Sequence, residues 1–185
     1  SKDFARGAVG AGRGTVCFGL KGGIGSSSRI VGEGGHAWTV GVLVQTNFGR
    51  MPDLMVCGRH MGPQILARIT GETDADAPEK GSVMVIVATD APLSSRQLGR
   101  VIRRATVGLV RCGSYMGHGS GDIFLGFTTG LSMGAEGGKL PVRERVPEES
   151  IDAFFRACAE TTEEAVLDSL VSAEAATGLD GTVYH

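Results

Sequence analysis

The chain has 185 residues, 42% of them hydrophobic and 5% aromatic, which makes one domain, or most of one, with enough apolar residues to bury a core. A formal charge of −2 gives no general field for attracting nucleic acid or an anionic membrane, so small, nearly neutral partners are favoured. No apolar stretch is long enough for a bilayer-spanning helix, and the first residues do not read as a signal peptide.

Two compositional features carry information. Cys17, Cys57, Cys112 and Cys158 are widely spaced, with no CxxC pair and no nearby histidine, so they read as reduced thiols in a reducing, cytoplasmic compartment. Glycine supplies 30 of 185 residues, about twice the usual share. Such a chain either turns often or brings its backbone close to another group.

In chain order, Thr15 to Leu20 reads as a short strand and Gly22 to Ser28 as a Gly/Ser turn, with Arg29 to Val31 extended. The glycines resemble a phosphate cradle only superficially, because Lys21 precedes them and no helix opens inside them. His36 to Gly49 has the β-branched content of a central strand that ends at Asn47. Residues 53–69, "DLMVCGRHMGPQILARI", read as a hairpin turning near Gly58, followed by a charged loop from Thr70 to Lys80. Ser82 to Thr89 is a buried strand. Leu98, Val101, Ile102, Ala105 and Leu109 then mark one stripe of an amphipathic helix, with Ser94 or Ser95 as its N-cap and Gly113 as its stop.

Ile123 to Thr128 is another strand, leading to a loop that runs to Val146. Pro147, Glu148 and Glu149 open a final helical region, since proline is tolerated in a first turn and carboxylates suit the positive end of the dipole. Its apolar face runs from Ile151 through Phe154, Phe155, Cys158, Ala165 and Val166 to Leu170, as one helix or two, with Gly178 as the stop. Strands followed by alternating helices and strands describe a layered α/β domain with a mixed sheet.

The chemistry is narrowed by elimination. The four histidines have no second ligand at metal spacing, so no zinc site is expected, and there is no G-x-S-x-G elbow. Ser82 poses the sharper question, because it puts a hydroxyl at the first position of a buried strand directly after Gly81. If that peptide bond were cut, the Ser82 α-amine would serve as base for its own hydroxyl. Its reference pKa of roughly 7.7–8.0 suits general-base work at neutral pH. On the dipeptide alone, a plain loop-to-strand junction is the better explanation.

Four ordered blocks, "GGIGSSSRIV", "TVGVLVQTNFG", "GSVMVIVATDAPLSSRQLGRVIRRATVGLVR" and "GSGDIFLGFTTG", together resemble the DmpA-type β-aminopeptidases, the L-aminopeptidase/D-esterase family of self-processing hydrolases. The resemblance implies an αββα four-layer sandwich with mixed sheets, like the N-terminal-nucleophile hydrolases but with different connectivity. It implies a precursor cut at Gly81-Ser82, residues 1–81 being the end of an α subunit and residues 82–185 the β subunit. The whole chain is then a single domain forming the C-terminal part of a larger precursor. Ser82 is implied as nucleophile, Asn47 as the oxyanion-hole amide, and Ser120 and Asp122 as the network beside the Ser82 amine. The family's upstream segment, which contributes a tyrosine to the site, has no counterpart in Tyr115 or Tyr184.

The implied activity is removal of N-terminal residues from short peptides, amides or esters through an acyl-enzyme, without a cofactor. The implied partners are the chain's own upstream α segment and further αβ units of a homo-oligomer. Two alternatives stand beside it. Acyl transfer of the ornithine acetyltransferase type uses a threonine nucleophile, against which Ser82 counts. A non-catalytic binding protein on the same scaffold would leave Gly81-Ser82 uncut.

Overall fold

A computed structural model describes residues 4–33, 35–70, 79, 81–131, 145–179 and 181–185. The elements in chain order are β1 (Val16–Cys17), β2 (Leu20–Lys21), β3 (Ile24–Glu33), β4 (His36–Asn47), β5 (Met55–Val56), β6 (Arg59–His60) and α1 (Gly62–Thr70). These are followed by β7 (Ser82–Thr89), α2 (Ser95–Ile102), α3 (Ala105–Arg111), β8 (Ile123–Thr128), α4 (Ile151–Val171), β9 (Ala176–Thr177) and β10 (Val183–Tyr184).

The principal sheet has the order β3-β4-β7-β8. It is mixed, as the sequence predicts: β3, β4 and β7 pair antiparallel, from Ile24↔Gln45 and from Val40↔Thr89 to Asn47↔Ser82, whereas β7 and β8 run parallel from Met84↔Ile123. A parallel pair requires a crossover, and α2 and α3 supply it. Alternation along the strands sends Val40, Val42, Val44, Val83, Val85 and Val87 to one face, where all six are buried. Fully burying each such side chain is worth about 1.5–3 kcal/mol. The covering layer is α4, seated on β3 and β4, with α2 over β8 and α3 against α4. The opposite face carries Leu43, Met84, Ile86, Ile123, Leu125 and Phe127, and Leu125 and Phe127 remain 53% and 52% exposed.

Several sequence expectations are corrected. The Gly/Ser run is no turn: Ile24–Glu33 is a ten-residue strand, and its hairpin to β4 closes between Glu33 and His36. Its small residues serve helix approach instead, since a Cβ on Gly25 would lie 1.9 Å from the Ala165 carbonyl oxygen of α4. The strand expected from Thr15 to Leu20 is a tight hairpin that reverses at Phe18 and Gly19, with Phe18 buried edge-on to Phe48. The hairpin near Gly58 is present as β5 and β6, yet residues 62–70 form α1. Pro63 is compatible with a first helical turn, and Ile65, Leu66 and Ile69 share a helical face.

Ser94 is the N-cap of α2, completed by a capping box with Gln97. The amphipathic stripe is interrupted between Ile102 and Ala105, and the resulting α3 comes so near α4 that a Cβ on Gly108 would meet the Ala159 carbonyl oxygen at 2.6 Å. The last helix is continuous from Ile151 to Val171 and stops at Ser172, not Gly178, which belongs to the β9–β10 turn. The charged loop lies largely outside the described residues, as does most of the loop leading to Val146. Among the described residues, no helix is long and apolar enough to cross a membrane.

Candidate active site

The four residues singled out in the sequence converge at one end of the sheet. Asn47 is the last residue of β4 and Ser82 the first of β7, and they are register partners. Gly81, just before Ser82, has φ +126, and a Cβ there would lie 2.0 Å from the Asn47 carbonyl oxygen. Both the dihedral and the contact demand glycine at this position. On the other side, the loop leading into β8 runs alongside the same residues. Gly81 bridges Ser120, the Gly121 N–H donates to Ser82 Oγ at 3.0 Å, and the Val83 N–H donates to Asp122 Oδ1 at 3.0 Å. Ser120 Oγ donates to the same Asp122 oxygen at 2.5 Å. The parallel pairing of β7 and β8 is thereby prolonged, through side chains and a bridge, across the Gly81-Ser82 bond.

The orientation of Asn47 is determined by its carbonyl end. Oδ1 accepts the Val16 N–H at 3.2 Å, leaving Nδ2 as the donor end, and Nδ2 lies 3.4 Å from the position a Gly81 Cβ would take. An amide donor, a hydroxyl, and a carboxylate tied to the neighbouring backbone thus surround one glycyl-seryl bond. Chemically this combines an attacking oxygen with a donor for an oxyanion and a nearby anion for a positive charge. Ser82, Ser120 and Asp122 are half-buried and Asn47 is exposed, so the site is open to solvent.

Two further residues were not recognised from sequence. Glu79 is buried, its Oε2 accepts the Gly117 N–H at 3.0 Å, and its Oε1 has no hydrogen-bond partner among the described residues. In "DADAPEK" it is one acid among several, and only the fold distinguishes it. Lys21 is 3% exposed and donates to three carbonyls, those of Gly12, Thr15 and Gly22. A groove lined by Arg29, Ile30, Asp152, Arg156 and Glu160 lies on the β3–α4 side, near the opposite end of β4. The seven residue-to-residue steps from Val40 to Asn47 separate it from Ser82 by roughly 23 Å along the strand, so it belongs to no part of this site.

Fold and sequence define a chain of the peptidase class. The model of peptidase family S58 matches residues 1–184, and the chain belongs to that family. It is 40% identical, over 98% of its length, to the β-peptidyl aminopeptidase BapA of Sphingosinicella microcystinivorans, of which it covers 48%. Among solved structures it is similar to the PH0078 protein from Pyrococcus horikoshii OT3, with a TM-score of 0.88, 43% identity and coverage of 100% of this chain and 50% of that one. It is also similar to the L-aminopeptidase D-Ala-esterase/amidase from Ochrobactrum anthropi, described as a new variant among the Ntn hydrolase fold, with a TM-score of 0.83, 33% identity and coverage of 98% and 49%. The chain spans about half the length of the curated relatives it matches.

Proposed function

We propose that the full-length protein is a self-processing serine aminopeptidase that cuts its own Gly81-Ser82 bond and then hydrolyses N-terminal residues from short peptides, amides or esters. The observation that carries this reading is the enclosure of that bond between Asn47 and the Ser120–Asp122 loop. In self-cleavage, Ser82 Oγ attacks the Gly81 carbonyl carbon and Asn47 Nδ2 donates to the oxyanion. The C–N bond breaks as the Ser82 nitrogen takes a proton, and water hydrolyses the resulting ester. This leaves a Gly81 carboxylate and a Ser82 α-amine.

In turnover, that amine takes the proton from Ser82 Oγ as the hydroxyl attacks the substrate carbonyl, then passes it to the leaving amine or alcohol. Asp122, already bonded to the adjacent Val83 N–H and to Ser120, stabilises the transient ammonium. Water releases the acyl group. None of these steps requires a cofactor.

The partners in this reading are the protein's own upstream α segment and further copies in a homo-oligomer. The upstream segment would supply the second sheet and helix layer of the αββα sandwich. Support comes from the chain's half-length coverage of its relatives and from the exposed apolar face of the sheet. Residues 82–185 are then the β subunit. A cytoplasmic location is supported by four free cysteines.

The test is intact-mass spectrometry with N-terminal sequencing of the full-length gene product and of Ser82→Ala. We expect two chains from the wild type, one beginning at Ser82, and a single inactive chain from the variant. A wild type that stays whole on long incubation would leave the Ser82 nitrogen as an amide and replace this reading with an uncleaved binding protein.

A further inference from the structure

A buried cation stands behind the Asn47 amide, connected to it through a single peptide group. Lys21 Nζ donates to the Thr15 carbonyl oxygen at 2.6 Å, and the N–H of that same peptide unit, on Val16, donates to Asn47 Oδ1 at 3.2 Å. The Asn47 side chain then presents Nδ2 toward Gly81. Every dipole in this series points the same way. An ammonium on a peptide oxygen makes that peptide's N–H a stronger donor, and a stronger donor on an amide oxygen does the same for the amide's own N–H groups.

The surroundings of Lys21 argue against a merely incidental lysine. At 3% exposure its charge is removed from water, which is costly unless every proton finds an acceptor. All three do, in the carbonyls of Gly12, Thr15 and Gly22, which fold the Gly12–Thr15 turn around the ammonium together with the Thr15 Oγ–Gly12 carbonyl bond. The turn is thereby held rigid at the point where it meets Asn47, and β1 and β2 place Lys21 directly opposite Val16.

We propose that Lys21 is a positioning and polarising residue for the oxyanion donor, acting on Asn47 through the Thr15–Val16 peptide. This rests on the reading of Asn47 given above. Lys21 itself touches no reacting atom. Its effect is on the transition state, where the oxyanion forms, and not on substrate binding, so it belongs in kcat and in the self-cleavage rate while leaving KM unchanged.

The test is a double-mutant cycle in the full-length gene product with Lys21→Met, Asn47→Ala and the pair. Self-cleavage is followed by intact mass, and kcat and KM of the fully processed enzyme are measured on an amino-acid p-nitroanilide. Losing one oxyanion donor costs about 100- to 1,000-fold in kcat, and we expect Lys21→Met to lose about 10- to 100-fold with KM within about threefold. In the Asn47→Ala background the same lysine substitution is expected to cost less than about twofold, because its route to the reacting carbonyl is gone.

Val16→Pro provides a second route to the same question if Lys21→Met does not fold. It deletes the N–H that meets Asn47 without touching the Lys21 side chain, and Thr15 already has the extended φ −101, ψ 150 that a following proline requires. It should reproduce the loss in kcat with Lys21 intact. Equal losses from Lys21→Met in both backgrounds, or unchanged kcat in Val16→Pro, overturn the relay while leaving the aminopeptidase reading standing. An Asn47→Ala enzyme at the wild-type rate overturns both the relay and the role assigned to Asn47.

Discussion

On the helix side of the sheet, Val42, Val44, Val85 and Val87 are sealed under α4 and its neighbours, joined by Phe154 and Trp38 in a tilted ring contact. On the other side, the same strands turn Leu43, Met84, Ile86, Ile123, Leu125 and Phe127 outward, where Leu125 and Phe127 keep about half their surface in contact with water. A solvent-facing sheet surface normally alternates toward polar residues, and a contiguous apolar surface of this kind marks something that covers it. The candidate site sits at the end of this uncovered face: Ser82 and Met84 lie on the same side of β7. The two faces therefore differ in completeness more than in composition. One is finished within this chain, and the other is left open, where the proposed upstream segment would add a further layer.

The contrast can be tested by three measurements on the full-length protein. The largest effect is expected from Phe154→Ala on the finished face, where a fully buried ring is removed from beneath the sheet. Urea unfolding should show a loss of about 3–5 kcal/mol. Leu125→Ala is the more discriminating experiment, because the two faces should behave alike if the second is covered in the whole protein. Covered, the substitution costs about 2–3 kcal/mol; left in water, it costs less than about 0.5 kcal/mol. We expect the larger value, and the smaller would mean that the open face stays open.

The smallest perturbation is chemical labelling. Burial pushes the thiols of Cys17 and Cys158 up to about 12 and that of Cys112 higher still, and all three lie in the core cluster. Cys57 is exposed at a hairpin turn. Iodoacetamide at pH 8 should modify one of the four thiols in the native chain, Cys57, and the other three only as the core opens. Rapid labelling of Cys158 without denaturant would show that α4 is not firmly seated on the sheet.

Much of this architecture is legible in residue order alone. Runs of β-branched residues identify β4 and β7, Ser94 and Ser95 mark the start of α2, and four ordered blocks indicate the family and single out Asn47, Ser82, Ser120 and Asp122, which the fold brings together. These signals are local, or are carried by short contiguous motifs, and a strand's alternation or a cap's spacing survives without its tertiary surroundings. The misreadings share the opposite character. Gly22 to Ser28 looks like a turn because small residues favour turns, but here Gly25 admits the backbone of α4. Residues 62–70 look like the return strand of a hairpin until the core takes them as a helix. Gly178 reads as a stop because nothing in the sequence reveals that the C-terminal hairpin uses it.

Residue types, the strand and helix periods, and the Gly81-Ser82 junction were determined by the sequence by itself, since each depends on neighbours a few positions away. What only the tertiary structure decided is which groups converge. Lys21 meets the peptide unit that holds Asn47, Glu79 is buried against Gly117, and the loop before β8 comes alongside a bond 39 residues earlier in the chain. Such meetings depend on the register of paired strands and on a crossover through two helices. Sheet pairing joins residues distant in sequence through backbone groups that every residue carries, so the order of side chains alone does not encode them.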